Sequence, residues 1–270
     1  MNFFRSRVRP AKPTPVARAA ALYQSGRYAE AEAEASAVAG SRRRDDTDVP
    51  LALSIVALSV GAQGRHAEAL AAYDEALPVF GRLFGAGHWQ TLKSRSDRAQ
   101  QLAALGRYAE CEAECAAVVR AATGGTGPEM RLVAAAAGNG LVFALNAQGR
   151  HVEAEALARE ALAAHREPDR LFLVLRLGLA RSLNGQARYE EALAEAASAD
   201  ALHRGLPPEQ RGQEVGSVEL VVATALLGLG REAEARDRAG SAHDACLASF
   251  GPVHRRTVEA RALLDRLDGV

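Results

Sequence analysis

Cys111 and Cys115 stand one helical turn apart, a spacing that sets two thiols on one face and would suit a metal ion. The seven histidines supply no third and fourth ligand nearby. His66, His88, His151, His165, His203, His243 and His254 are dispersed along the chain. Gly124-Gly125-Thr126-Gly127 has the glycine content of a phosphate cradle, but it lacks a preceding strand and a following Gly-Lys-Ser/Thr. No nucleophile, base and orienting acid recur in a known catalytic spacing. The expectation is therefore a protein without enzymatic activity, cofactor or metal, in which Cys111 and Cys115 are small core residues. With Cys246 they make three cysteines, too few for a disulfide framework, which points to a reducing cytoplasm.

Composition narrows the classes further. Apolar residues make up 48% of the 270, and Lys+Arg and Asp+Glu stand at 33 each. That balance gives no bulk attraction to nucleic acid or to an anionic membrane. No continuous run of apolar residues reaches membrane-spanning length, so no transmembrane segment is expected. Basic charge is almost all arginine, and alanine and glycine are abundant, a bias that points to a GC-rich bacterial coding sequence. Residues 1–15 carry Arg5, Arg7, Arg9, Lys12 and three prolines. They read as a flexible basic tail, with contact of Phe3 and Phe4 to a membrane or partner as the alternative.

The elements that must position any site are announced by a hexapeptide. Gly26-Arg27-Tyr28-Ala29-Glu30-Ala31 returns in varied form from Gly64, Gly106, Gly149, Ala187 and Gly230, at intervals of 38, 42, 43, 38 and 43 residues. Periodicity on this scale marks a stack of like supersecondary units. Helix-forming sequence flanks each copy, and the glycine accepts the left-handed backbone that ends a helix. Each unit is thus a helical hairpin. In its second helix the positions five, nine and twelve beyond the turn are small and fall on one face, as in Ala31, Ala35 and Val38, or Cys111, Cys115 and Val118. A ring follows the turn in five copies: Tyr28, His66, Tyr108, His151 and Tyr189. It is expected to wedge between neighbouring hairpins. An arginine directly after each turn and a glutamate three residues later read as local ion pairs of about 0.2–1 kcal/mol.

The small residue before the turn, the turn glycine, the ring and the following alanines resemble the tetratricopeptide repeat. Phe84-Gly85-Ala86-Gly87-His88-Trp89-Gln90-Thr91 and Phe250-Gly251-Pro252-Val253-His254-Arg255-Arg256-Thr257 are similar to the Gly-x-x-His-Pro-x-Thr linker of the kinesin-light-chain type, about 42 residues long in bacterial proteins. Trp89 and Arg255 replace its proline. The resemblance implies an all-α, right-handed α-solenoid of about six helix-turn-helix repeats. These are placed at 16–40, 50–80, 89–122, 130–165, 170–203 and 213–247, with a C-terminal capping helix over 255–267, all within one superhelix spanning 16–270.

It also implies a concave groove lined by the first helices of the repeats. Carried onto this chain, the groove residues include Tyr23, Lys93, Ser96, Gln100, Asn139, Phe143, Asn146, Arg181, Asn184 and Thr224. None is acidic and two are cationic. The expected partner is a protein or peptide segment with apolar side chains and a carboxylate. Occupation of the groove by the chain's own tail or by a second copy in a homo-oligomer stays open. A scaffold or adaptor is the first reading of function, and a ligand-sensing regulatory module the second. Arg95, Arg176 and Arg261 share one offset from the turn. They either lie along the surface to a nearby glutamate or form an anion-binding stripe.

Overall fold

The computed structural model describes residues 14–41 and 46–269. The expected basic tail therefore lies almost entirely outside the described residues. Among these there are fourteen helices and no strand. Six hairpins follow one another: α1 (Pro15–Gln24) with α2 (Tyr28–Ser41), α3 (Asp48–Ala62) with α4 (His66–Leu83), α5 (Trp89–Ala104) with α6 (Tyr108–Thr123), α7 (Pro128–Ala147) with α8 (His151–Ala164), α9 (Arg170–Gly185) with α10 (Tyr189–Gly205), and α12 (Ser217–Gly228) with α13 (Glu232–Phe250). A short α11 (Pro208–Gly212) precedes α12, and α14 (Arg255–Asp268) packs on α12 and α13. Each hairpin touches the next, so the chain is an α-solenoid.

One backbone device makes all six turns. The turn residue has positive φ, from 73° to 82° at Gly26, Gly64, Gly106, Gly149 and Gly230, and 59° at Ala187. The N–H of the arginine that follows donates to a carbonyl five residues back, as Arg27 does to Leu22 at 3.0 Å and Arg188 to Leu183 at 3.0 Å. This satisfies carbonyls that the ending helix would otherwise leave unpaired.

The small face is the packing face. Ala31, Ala69, Cys111, Ala154, Ala192 and Ala235 are all buried. Ala161 departs from its equivalents by being only half-buried. The rings wedge where the spacing places them, and glycines make room for two of them. A Cβ added at Gly185 would lie 2.3 Å from the His151 ring, and one at Gly228 would lie 2.2 Å from that of Tyr189.

The two similar linkers fold alike. His88 stacks on Phe84 at 5.2 Å and His254 on Phe250 at 4.3 Å. Each imidazole Nδ1 then accepts an N–H of the next helix, from Gln90 and from Arg256, both at 3.3 Å. Thr91 and Thr257 return hydroxyl bonds to the carbonyls of Gly85 and Gly251. The motif is a helix cap that fixes the angle between one hairpin and the next.

Charge forms a ridge along the turns. Arg27–Glu30, Arg65–Glu68, Arg107–Glu110, Arg150–Glu153, Arg188–Glu191 and Arg231–Glu234 are all ion pairs within their hairpins. Arg65, Arg150 and Arg188 also reach back to Glu32, Glu112 and Glu155 of the preceding hairpin. Gln63, Gln148 and Gln186 donate to the same three carboxylates.

The expectation of no membrane-length apolar segment needs one correction. α7, of 20 residues, is long and apolar enough to cross a bilayer by length and composition alone. Its alanines, leucines, valines and phenylalanine give it that apolar character. In the fold it packs against α5, α6, α8 and α9.

Candidate functional site

Five of the expected groove residues come together. Gln100 of α5, Asn139, Phe143 and Asn146 of α7 and Arg181 of α9 line one cavity of about 230 Å3, with Val174 and Leu177 on its wall. First helices of three consecutive hairpins therefore present one lining, because α5, α7 and α9 neighbour each other on the inner side of the stack.

The other five lie elsewhere or are committed to the protein. Lys93 pairs with Asp97 one turn on, at 2.5 Å, so its charge is already matched. Burial pushes the Asp97 carboxyl up, and Lys93 partly offsets this. Ser96 is buried. Asn184 donates to the Val221 carbonyl at 3.0 Å, and Thr224 to the Leu220 carbonyl of its own helix at 2.8 Å. Tyr23 packs in the first hairpin at 5.5 Å from the Tyr28 ring. Burial, then Tyr28 and Asp97, raise its hydroxyl pKa to about 12.

Asn146 lines the cavity but its amide is already engaged. It donates to the Gly178 carbonyl at 3.2 Å and the Ser182 hydroxyl at 2.9 Å, and its oxygen faces His151 Nδ1 at 3.0 Å. It is a tie between hairpins. Asn139 makes no hydrogen bond among the described residues and borders the open space.

Four charged lining residues were not among those expected: Arg170, Glu214, Arg255 and Arg256. Glu214, in the loop before α12, is 2% exposed. Its carboxylate lies 2.7 Å from Arg170 and 2.6 Å from Arg256, and the Ser217 hydroxyl donates to it at 3.1 Å. Burial draws the Arg256 pKa down, and Glu214 opposes this.

Arg255 sits at the start of α14, with its guanidinium 4.4 Å from the centroid of Phe143, a cation–π distance. Protein surrounds it on the flanks of the trough, while the side chain stays open to the trough's solvent. That enclosure, with Arg181 as the next cause, brings its pKa down to about 10. Neither Arg181 nor Arg255 pairs with a carboxylate among the described residues. The one signal of Arg255 in the sequence was its place in the linker where proline is usual.

α14 thus closes one side of the trough. The linker before it reaches as far as the second hairpin's turn, where a Cβ on Gly64 would stand 3.7 Å from Val253.

The remaining candidates resolve into structure. Arg95 pairs with Glu114 at 2.7 Å, Arg176 with Glu195 at 2.6 Å and Arg261 with Asp265 at 2.9 Å. Arg95 and Arg176 reach glutamates of the neighbouring helix, as the first of the two readings expected, whereas Arg261 pairs with an aspartate of its own helix. Cys111 and Cys115 lie side by side in the core with Leu70, Leu102 and Ala144.

Tetratricopeptide-repeat models match residues 52–90 and 134–167, and a second set matches 16–37 and 93–117. Over these residues the chain carries tetratricopeptide repeats. Repeats of this kind stack into extended concave surfaces that bind other proteins. No curated protein sequence matches this tetratricopeptide-repeat chain.

Solved structures share its fold. The putative kinesin light chain TPR-like repeats of Podosopora anserina align at TM-score 0.56 and 20% identity, over 70% of this chain and 93% of that one. A Rap protein complexed with Competence and Sporulation Factor aligns at TM-score 0.65 and 13% identity, over 94% of this chain and 75% of that one. The assembly chaperone of RpL4 aligns at 0.51 and 16%, over 95% of both.

Proposed function

We propose that this chain is an interaction scaffold that holds a peptide or protein segment in its trough, and that the segment carries a carboxylate beside apolar side chains. The observation that carries this reading is the lining of the cavity: uncommitted Asn139 and Gln100 amides, an unpaired Arg181, and Phe143, Val174 and Leu177 on the walls. An amide pairs with extended backbone, an arginine fork with a carboxylate, and the apolar wall with a side chain between them. The folds shared with a Rap protein complexed with Competence and Sporulation Factor and with the assembly chaperone of RpL4 are in keeping with it. A reducing, cytoplasmic setting fits three buried free cysteines.

The test is selection of peptides from a random library on the purified chain. Enriched sequences should carry Asp, Glu or a free C-terminus near apolar residues. Their binding should weaken at least tenfold in an Arg181→Ala, Asn139→Ala double variant. Unchanged affinity of the enriched peptides for that variant would count against the trough.

A regulatory, ligand-sensing role has one observation of its own. The contact of Arg255 with Phe143 joins the last helix to the middle of the stack, so a trough ligand would act on both at once. Such a ligand should change the protection of 250–262 from hydrogen exchange.

A further inference from the structure

The lining of the cavity carries more positive than negative side chains. It includes four arginines, Arg170, Arg181, Arg255 and Arg256, against one carboxylate, Glu214. Glu214 is shared by Arg170 and Arg256. Arg181 and Arg255 are left lining the same cavity from α9 and α14, neither paired with a carboxylate among the described residues. Guanidinium groups stay charged at neutral pH, so the two arginines repel each other across the cavity. A ligand with one negative charge matches one of them. A ligand with two matches both and removes the repulsion.

We propose that Arg181 and Arg255 form a site for a compact dianion of the phosphate-monoester class, with the Asn139 and Gln100 amides donating to its remaining oxygens. This deepens the trough reading above and rests on it for the identity of the binding face. Two features favour a phosphoryl group over a larger anion. The cavity, at about 230 Å3, is smaller than the roughly 300–1,000 Å3 of sites that enclose drug-sized ligands. Two arginine forks and two amide groups supply directed donors to a tetrahedral cluster of oxygens, whereas a planar carboxylate has only two. Phe143 lies against the Arg255 guanidinium at the cavity wall, 4.4 Å from ring centroid to Cζ. The bound group would strap α9 to α14, so it should stabilise the solenoid as a whole. Free phosphorylated small molecules and a phosphorylated side chain of a trough-bound segment share this chemistry.

The experiment measures calorimetric affinity and thermal midpoint with inorganic phosphate, O-phosphoserine, succinate and acetate at pH 7.5. The chains compared are the parent, Arg181→Gln, Arg255→Gln and an Arg95→Gln control whose arginine pairs outside the cavity. Phosphate and O-phosphoserine should raise the midpoint and bind at least tenfold more tightly than acetate. Both cavity variants should lose at least tenfold, and Arg95→Gln should not. Arg255→Lys, which keeps the charge without the fork, covers the case in which Arg255→Gln does not fold, and should fall between parent and loss.

A phosphoserine peptide that binds at least tenfold more tightly than O-phosphoserine identifies a segment as the source, and equal affinity identifies a free small molecule. Phosphate binding no better than acetate or succinate, or binding that survives both cavity variants, overturns the proposal. If selected acidic peptides still bind the trough in that event, the scaffold reading stands and only the dianion site falls.

Discussion

Arg188 donates to Glu155 of the preceding hairpin at 2.7 Å. The same carboxylate accepts from Gln186 at 2.7 Å and from Arg159 at 2.9 and 2.8 Å. Burial pushes the Glu155 carboxyl up, but these three partners outweigh it and hold its pKa below the usual range. Three side chains from two hairpins thus depend on one carboxylate that is 13% exposed.

Glu155→Ala should therefore destabilise the chain by about 1–3 kcal/mol, the range for removing a charged hydrogen-bond partner. Glu191→Ala removes an exposed pair within one hairpin and should cost much less. Urea denaturation of the two variants checks the order. Equal losses would show that the link between hairpins adds nothing.

Gly228→Ala drives a methyl group into the Tyr189 ring, which is 2.2 Å from the added Cβ. The ring cannot retreat without opening the contact between α10 and α12, so a loss of about 1–3 kcal/mol is expected. Gly138→Ala, also within a helix but with nothing inside 4 Å, should gain up to about 1 kcal/mol from helix propensity. Thermal denaturation of this pair separates packing from backbone effects.

Ala187 is the one described non-glycine residue at positive φ, 59°. Its five counterparts are glycines. Ala187→Gly relieves a left-handed strain of about 1–2 kcal/mol and frees the unfolded chain by about 0.4–1 kcal/mol. A net gain of up to about 1 kcal/mol is expected in chemical denaturation, and a loss would mean that the strain is already relaxed.

His254 should make the C-terminal cap sensitive to acid. Burial, then Arg256, Arg255 and His66, lower its pKa from 6.5 to about 4. The unfolded chain takes up the proton first, so stability is full above about pH 6.5 and falls as pH drops toward 4. Protonation of Nδ1 would also remove the acceptor that caps α14 at Arg256. His254→Asn keeps a capping oxygen without a titration in this window. It should flatten the decline in thermal midpoint between pH 6.5 and 4. A decline as steep as the parent's would place the sensitive group elsewhere.

Much of the fold is written locally. The turn glycines, the arginine and glutamate three residues apart, and the small face at five, nine and twelve residues beyond the turn all act within two helical turns, so their spacing alone determines them. The recurrence of Phe-Gly-x-x-His-x-x-Thr made the linkers recognisable, although their capping geometry emerged only in the structure.

The trough was less legible. Offsets from the turn found Gln100, Asn139, Phe143 and Arg181, because a position on a first helix fixes the side of the stack it faces. They could not show that Lys93 is matched by Asp97. Nor could they show that Asn146 and Asn184 are spent tying one hairpin to the next. Arg170, Glu214 and Arg255 meet only because small rotations accumulate from hairpin to hairpin and bring α14 back over α7. Sequence determined the repeating unit, since its contacts are short-range. Tertiary structure decided which charges face each other across the trough, since curvature is a sum over the whole stack.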